Sequence, residues 1–316
     1  MTGSALTSLD LSIIVPTYRE AANLRVLLPR IAAAMKSISL RGHPETHAGP
    51  ASLDTPPAPG GSHGDGTQSV RGVSRASSRS DLRVFGCTLS YEVLIVDDRS
   101  DDDPGSAVRE AGGDCPVQLI VRDGPRDLSL AVLDGLRRAR GDTLLVMDAD
   151  LSHPPERIPD LLASLREPPT DFVLGSRFVP GGRTEDWGGH RRLNSRVATL
   201  LCRPLAGRIR DPMAGFFALR RETFERATKL DPIGYKIGLE LICRCPCRHV
   251  VEVPIVFHNR MAGVSKLDFR QQRLYLTHLA RLYRDCRPGW GLVVRPILGL
   301  MRGILLALQL VTPQQS

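Results

Sequence analysis

Leu144 to Pro155, LLVMDADLSHPP, is an apolar run that breaks abruptly into two aspartates two positions apart, Asp148 and Asp150. The run reads as a buried strand. In an open α/β sheet the ligand crevice lies beyond the carboxyl ends of the strands, so the sequence places both acids where a ligand would sit. An all-oxygen donor pair suits a hard divalent cation, Mg2+ or Mn2+, which keeps coordination positions open for phosphates. The competing reading is that Asp150 only caps a helix starting near Pro154.

Working outward, Leu11 to Val15 is a second compact apolar run, ended by Pro16-Thr17-Tyr18, and a helix follows from about Glu20 to Lys36. Tyr91 to Val96 is a strand that ends in Asp97-Asp98. Strands at Val117 to Val121 and Thr143 to Met147 flank a helix near Leu128 to Arg140, and Phe172 to Leu174 is another strand. This alternation predicts an α/β, doubly wound, mostly parallel sheet. Two strands ending in acids predict one shared crevice.

The second half is more mixed. A basic helix is expected over Arg191 to Ile209, a short strand over Phe216 to Leu219, a helix over Tyr235 to Cys243 and a strand over Val250 to Phe257. A helix from Phe269 to Arg284 gathers Phe269, Leu276, Leu279 and Tyr283 near one face, with arginines around the others; it suits a core-packed helix and a membrane-facing one equally. Leu292 to Val311 is long enough to cross a bilayer but contains Arg295, Pro296 and Arg302, so an interfacial helix fits as well. Together these two segments are expected to dock on an anionic membrane surface. Residues 41–80, dense in Gly, Pro, Ser and His, cannot bury enough surface to offset ordering entropy and read as a disordered insertion. The expected organisation is one domain over 1–287, interrupted at 41–80, and a membrane-associating tail over 288–316.

Of 316 residues, 42% are apolar, enough for a sizeable core. The excess of 42 basic over 34 acidic residues, a formal charge of +8, suits an anionic partner without choosing which one. Seven cysteines without disulfide-like spacing, and an N-terminus lacking a signal-peptide pattern, predict a cytosol-facing protein. Cys243, Cys245 and Cys247 alternate too closely for a structural zinc site and read as free thiols.

The ordered segments IVPTYREAANL, VLIVDDRSDDD, MDADLSHPPERIPDL, FVLGSRFVPGG, DPMAGFFALRR, GYKIGLELI and VEVPIVFHNRMAGVSKL follow one another in a familiar order. They resemble the polyprenol-phosphate (dolichol-phosphate) mannosyltransferases of glycosyltransferase family 2. The resemblance implies a GT-A-type fold in which Pro16, Tyr18 and Glu20 line the nucleotide-base pocket and Asp97 and Asp98 hold base and ribose. It implies that Asp148, Ala149 and Asp150 meet the nucleotide, and that Asp148, Asp150 and Ser152 form the metal shell, Ser152 standing where many relatives have Gln. Arg177 falls near the diphosphate and acceptor phosphate, and Arg191 or Arg192, Arg260, Ser265 and Lys266 match later positions around those phosphates. Asp150, Arg177 and Arg260 are thereby expected to carry catalysis.

Physical chemistry points the same way. A diphosphate donor and a lipid-phosphate acceptor both require cations around anions, and the arginine fork binds phosphate oxygens bidentately. The expected reaction is inverting transfer of mannose from GDP-mannose to a polyprenyl phosphate at the cytosolic membrane face, with Mg2+ or Mn2+ and without nucleic acid; a membrane partner subunit is left open. Transfer from UDP-glucose or a UDP-N-acetylhexosamine is the alternative, and a non-catalytic membrane adaptor or a pyrophosphorylase are readings from other classes. Intact Asp148, Asp150 and Arg177 oppose the adaptor, and the absence of a glycine-rich phosphate loop opposes the pyrophosphorylase. Two departures bear on donor preference. Arg99 stands where relatives have Gly, so a positive φ there would be strained, and Asp127-Leu128-Ser129 stands for Gly-Leu-Gly, with Arg126 near a usual lysine.

Overall fold

The computed structural model describes residues 9–40, 89–113, 115–185, 189–258 and 269–311. The expected insertion over 41–80 lies outside them. The chain runs β1 (Leu9–Thr17), α1 (Ala21–Leu40), β2 (Tyr91–Asp97), α2 (Pro104–Ala111), β3 (Val117–Val121), α3 (Leu128–Arg138) and β4 (Gly141–Val146). It continues through a 3-10 turn (Pro155–Arg157) into α4 (Ile158–Arg166), β5 (Phe172–Ser176), β6 (Arg183–Thr184), α5 (Gly189–Ala206), β7 (Phe217–Arg220) and α6 (Arg221–Glu225). It ends with α7 (Ile237–Arg244), β8 (Val250–Pro254), β9 (Val256–Phe257), α8 (Phe269–Cys286) and α9 (Pro288–Val311).

Seven strands form one sheet in the order β3-β2-β1-β4-β7-β5-β8. All pairings are parallel except those of β7, which runs antiparallel between β4 and β5. The mostly parallel, doubly wound sheet expected from the alternating pattern is therefore present. β1 shows why both faces are covered. Its Leu11, Ile13 and Val15 pack with Leu24, Leu27, Leu28 and Ile31 of α1 and with α2 and α4. Its Ile14 faces Val132 and Leu136 of α3, in a second core that takes in α5, α7 and α8. Side chains alternate along a strand, so a run apolar at every position must be buried on both sides. At Gly135 a Cβ would come within 2.5 Å of Ile14 Cγ2, so glycine is what lets α3 lie this close to β1.

Two expectations change, and one helix is added. The strand foreseen over Val250 to Phe257 is two: Ile255 bonds back to Ser176 O, and β9 then pairs with β6 in a separate ribbon. The short helix α2, with Asp103 capping Ser106 N, was too polar for the hydrophobic pattern to reveal. The helix α8 does not offer its apolar stripe to a membrane: Leu276, Leu279, Leu282 and Tyr283 are buried in the core, with Tyr283 Oη donating to Leu201 O at 2.7 Å. The free apolar face belongs to α9, where Leu298 packs inward while Leu292, Val293, Ile297 and Leu300 are exposed. Residues 288–307 of α9 are long and apolar enough to cross a membrane.

Candidate active site

Beyond the carboxyl ends of β1, β2 and β4 lies a cavity of about 1170 Å3. Pro16, Tyr18, Glu20, Asp98, Asp148, Ala149, Asp150 and Arg177 all line it, so most of the expected site residues meet in one place. The parallel register accounts for this, since β1 leads directly to Pro16–Tyr18, β2 to Asp98 and β4 to Asp148.

On the β4 side, Asp148 N donates to His153 Nδ1 at 3.1 Å, which fixes the imidazole as the neutral form with its proton on Nε2. Burial lowers the His153 pKa against the opposing pull of Asp148 and Asp150. The ring stacks on Phe216 at 5.4 Å and meets Phe257 edge-on. Asp150 Oδ1 accepts from Ser152 N at 3.0 Å and Ser152 Oγ at 2.6 Å. Asp150 therefore closes a local turn and does not cap the following helix, whose Pro154 cap makes no side-chain bond. The fully buried Ser152 acts on this carboxylate, orienting it. Leu151 has φ 62°, so the acids sit in a strained turn. The backbone of Gly215 forms the floor here, a Cβ there falling 3.3 Å from Asp148 Oδ2.

On the β1 and β2 side, Arg126 lies 3.5 Å from the Tyr18 ring centroid, a cation–π contact at the cavity mouth. Asp98 is held by Arg122, which also binds Asp134 at 2.7 Å, and accepts from Asp127 N at 3.1 Å. Burial raises the Asp98 pKa against the pull of Arg122. Asp97, expected beside the base and ribose, is instead turned into the fold: it accepts from Thr17 Oγ1, Ser100 N and Ser100 Oγ and is 1% exposed. That network holds the turn in which Arg99 takes φ 55°, the conformation that glycine would occupy without cost.

Arg177, at the end of β5, makes a fork with Asp211: Nε to Oδ2 and Nη2 to Oδ1, both 2.7 Å. Asp211 is fully buried and its own N–H donates to Glu252 at 2.8 Å, so the guanidinium is held rigidly at the cavity wall. Neither Asp211 nor His153 was singled out from sequence, although both stand within the quoted motifs. Lys236 was missed too. It lines the cavity, donates to Met213 O at 3.2 Å, and has its pKa lowered to about 8 by burial and by Arg177. Arg191 and Arg192 fall in the first turns of α5, with side chains outside the described residues, as are Arg260, Ser265 and Lys266. The cysteines at 243, 245 and 247 are free, as expected.

The same cavity is also lined by Ala198 and Leu201 of α5, by Leu274 together with Arg270, Gln271 and Gln272 of α8, and by Met301, Ile304 and Leu305 of α9.

Residues 81–227 match the family described as Glycosyl transferase family 2. The dolichol-phosphate mannosyltransferase of Mycosarcoma maydis is 35% identical over 280 residues, covering 86% of this chain and 79% of that protein. The chain belongs to glycosyltransferase family 2. The family member named dolichol-phosphate mannosyltransferase from Pyrococcus furiosus is 42% identical over 66% of the chain, which spans 58% of that relative's length. In fold, this glycosyltransferase resembles glucosyl-3-phosphoglycerate synthase from Mycobacterium tuberculosis in complex with Mn2+, UDP and glucosyl-3-phosphoglycerate. There the TM-score is 0.53 and the identity 17%, covering 88% of this chain and 80% of that one. The same synthase is also solved with Mg2+ and UDP. The GT-A-type α/β fold expected from sequence is thus the fold of this glycosyltransferase.

Proposed function

We propose that this glycosyltransferase moves a mannosyl group from GDP-mannose to a polyprenyl phosphate, inverting the anomeric centre, at the cytosolic face of a membrane. The observation that carries this reading is the mixed lining of the cavity: carboxylates and Arg177 beyond the strand ends, and a helical wall from α5, α8 and α9 whose apolar side chains stand beside Arg270, Gln271 and Gln272. A sugar nucleotide suits the first lining and an isoprenoid chain the second. The relatives named dolichol-phosphate mannosyltransferase support the choice of sugar and acceptor. In this reading the catalytic unit extends to residue 287, and α9 is its membrane-associating extension.

The donor set fits a hard divalent ion: two carboxylates that both reach the cavity, one of them pre-oriented by Ser152, with phosphate oxygens and water to complete the shell. Asp148 and Asp150 would hold Mg2+ or Mn2+, whose charge would offset that of the leaving diphosphate. The remaining work falls to the chain. Pro16, Tyr18, Glu20 and Asp98 form the base and ribose wall, and Arg177, kept in one orientation by Asp211, faces the phosphates. An acceptor phosphate, with a second pKa of about 6, arrives largely ionised near neutral pH and needs no strong general base. The helical wall keeps the lipid phosphate pointing at the anomeric carbon, and His153, buried and neutral, adds no competing charge.

The deciding experiment is transfer of radiolabelled sugar to polyprenyl phosphate, with GDP-mannose and UDP-glucose compared as donors. Transfer from GDP-mannose alone is expected. Transfer from UDP-glucose alone would overturn the choice of donor, and transfer from neither would overturn the reading.

A further inference from the structure

The acids of the site sit in a turn that holds a non-glycine residue, Leu151, at φ 62°, a conformation that persists where its surroundings fix it. Asp150 and Ser152 bond within that turn. Ser152 O also accepts from His258 N at 3.1 Å, which ties the turn to the end of β9. The preceding residue, Phe257, meets other parts of the site. Its ring lies edge-on to His153 at 5.4 Å, and the guanidinium carbon of Arg177 is 5.3 Å from the ring centroid. Two successive residues, Phe257 and His258, thus touch the acidic turn, the imidazole and Arg177.

The pairing that carries these two residues is short. β6 and β9 have two residues each, and so small a ribbon is marginal alone. Just beyond it, Glu185 N donates to Phe257 O at 3.0 Å and His258 Nδ1 lies 2.8 Å from Glu185 Oε2, closing the ribbon with a cross-strand pair. Glu156, whose charge also acts on His258, is itself held by the Arg30 fork at 2.8 and 2.9 Å. The His258 and Glu185 side chains are 42% and 41% exposed, so the pair adds modestly to global stability and acts locally.

We propose that Glu185 is a positioning residue for the metal site. Through His258 it fixes the end of β9, and β9 in turn fixes the Ser152 turn that aims Asp150 and the Phe257 ring that sets His153 against Arg177. This rests on the proposed transferase reading, in which Asp148 and Asp150 hold the ion, and extends it to Glu185, which none of the quoted motifs contains.

The test compares full-length wild type with Glu185→Ala, His258→Ala and the double variant. Glu185→Gln, which can still accept from His258, serves as the conservative control. Affinity for Mn2+ in the presence of GDP is read by electron paramagnetic resonance, alongside kcat and KM for transfer, and the thermal midpoint reports folding. Each alanine variant is expected to bind Mn2+ about threefold or more weakly and to lose kcat in proportion, with the acceptor KM and the midpoint nearly unchanged. The double variant should be no worse than the poorer single one, and Glu185→Gln should recover much of the loss. Mn2+ affinity within about twofold of wild type in a folded Glu185→Ala overturns the proposal, as do losses that multiply in the double variant. A midpoint lowered by more than about 5 °C in Glu185→Ala would make the pair a general prop and also overturn it. If wild type binds Mn2+ with GDP yet transfers no mannose, the transferase reading fails while the Mn2+ comparison still decides the role of Glu185. If wild type binds no Mn2+, the positioning role fails with the metal assignment, while transfer by wild type would still uphold the transferase reading.

Discussion

Asp127 Oδ2 accepts from Gly234 N at 2.7 Å, while its Oδ1 accepts from Ser129 N and Leu130 N at 2.9 and 3.1 Å. One carboxylate thus caps α3 and ties that cap to the turn carrying Lys236. Ser129 N also reaches Gly234 O at 3.0 Å, and Asp127 N donates to Asp98, so the tie continues to the nucleotide side of the cavity. The departure from Gly-Leu-Gly noted in the sequence therefore has a structural use here: it joins two walls of the site.

Asp127→Ala is expected to destabilise the protein by roughly 1–3 kcal/mol, through loss of a helix cap and of a partner for Gly234 N–H. It should also weaken nucleotide binding, because Asp98 and Lys236 lose a common support. Urea unfolding and GDP titration check the two effects. An unchanged midpoint would show that the tie contributes nothing to stability.

Asp150→Asn is expected to abolish transfer with the fold intact. The Ser152 bonds can persist to the amide oxygen, but one anionic donor is gone, at a cost on the order of 3 kcal/mol in the transition state by comparison with other electrostatic deletions. Mn2+ binding and turnover are the measurements, and near-normal turnover would remove Asp150 from the metal site. The companion change Ser152→Ala should reduce turnover less, since it removes one orienting hydroxyl and keeps the charge.

These residues show what the sequence could reveal. Asp148 and Asp150 were legible because an apolar strand must end where its polar neighbours begin, and topology then dictates which edge they occupy. The partners that aim the site were not. Asp211 lies 34 positions from Arg177, and Arg122 lies 24 from Asp98. Nothing in local periodicity marks a salt bridge made across the sheet. Asp97 illustrates the opposite case: the family resemblance implied a ligand role, but its carboxylate is buried at the end of β2, where it accepts from Thr17 and Ser100.

Lys236 yields a prediction on stability. Its pKa of about 8 in the fold, against an ordinary 10.5, means that the folded chain binds fewer protons than the unfolded one between these values. Stability from this group therefore rises with pH across that window, and the cost of burying the charge is fully present below it. Lys236→Met should raise the thermal midpoint at pH 7 by a few degrees, with the gain shrinking toward pH 10.5. A midpoint below that of wild type would show that the ammonium is well compensated in the fold.

Glu240 carries the contrary dependence. This fully buried carboxylate joins His278 at 2.7 Å, Arg244 at 2.6 Å and Asp231 N at 2.9 Å, linking α7 to α8. Burial raises its pKa, but the His278 and Asp231 hydrogen bonds and the Arg244 charge outweigh it, leaving the value below the ordinary 4.5. Its contribution is present above 4.5 and is lost as pH falls through the lowered folded value. Glu240→Gln should destabilise by about 3 kcal/mol or more at pH 7 by leaving Arg244 and His278 short of an anion. The gap to wild type should narrow on acidification below 4.5, and a gap that stays constant in acid unfolding would contradict this account.

The final prediction concerns α9. Its inner side packs along α8 through Leu298 and contributes Met301, Ile304 and Leu305 to the cavity, so the helix is at once a wall of the site and a surface. Its outer side exposes Trp290, Leu292, Val293, Ile297 and Leu300, with Arg295 and Arg302 also exposed. A large apolar strip edged by cations suits the interface of an anionic bilayer, where a lipid acceptor could enter the cavity without leaving the membrane. Wild type should co-sediment with vesicles containing anionic lipid. The outward-facing triple change Leu292→Asp, Ile297→Asp and Leu300→Asp should leave the thermal midpoint nearly unchanged and keep the protein in the supernatant. High salt should weaken wild-type binding, since each basic residue near the surface contributes about 1 kcal/mol of screened attraction. Its apolar side chains would retain part of it. Wild type that stays in the supernatant at low salt would overturn the membrane role of α9, and a triple variant that still sediments would place the contact elsewhere on the chain.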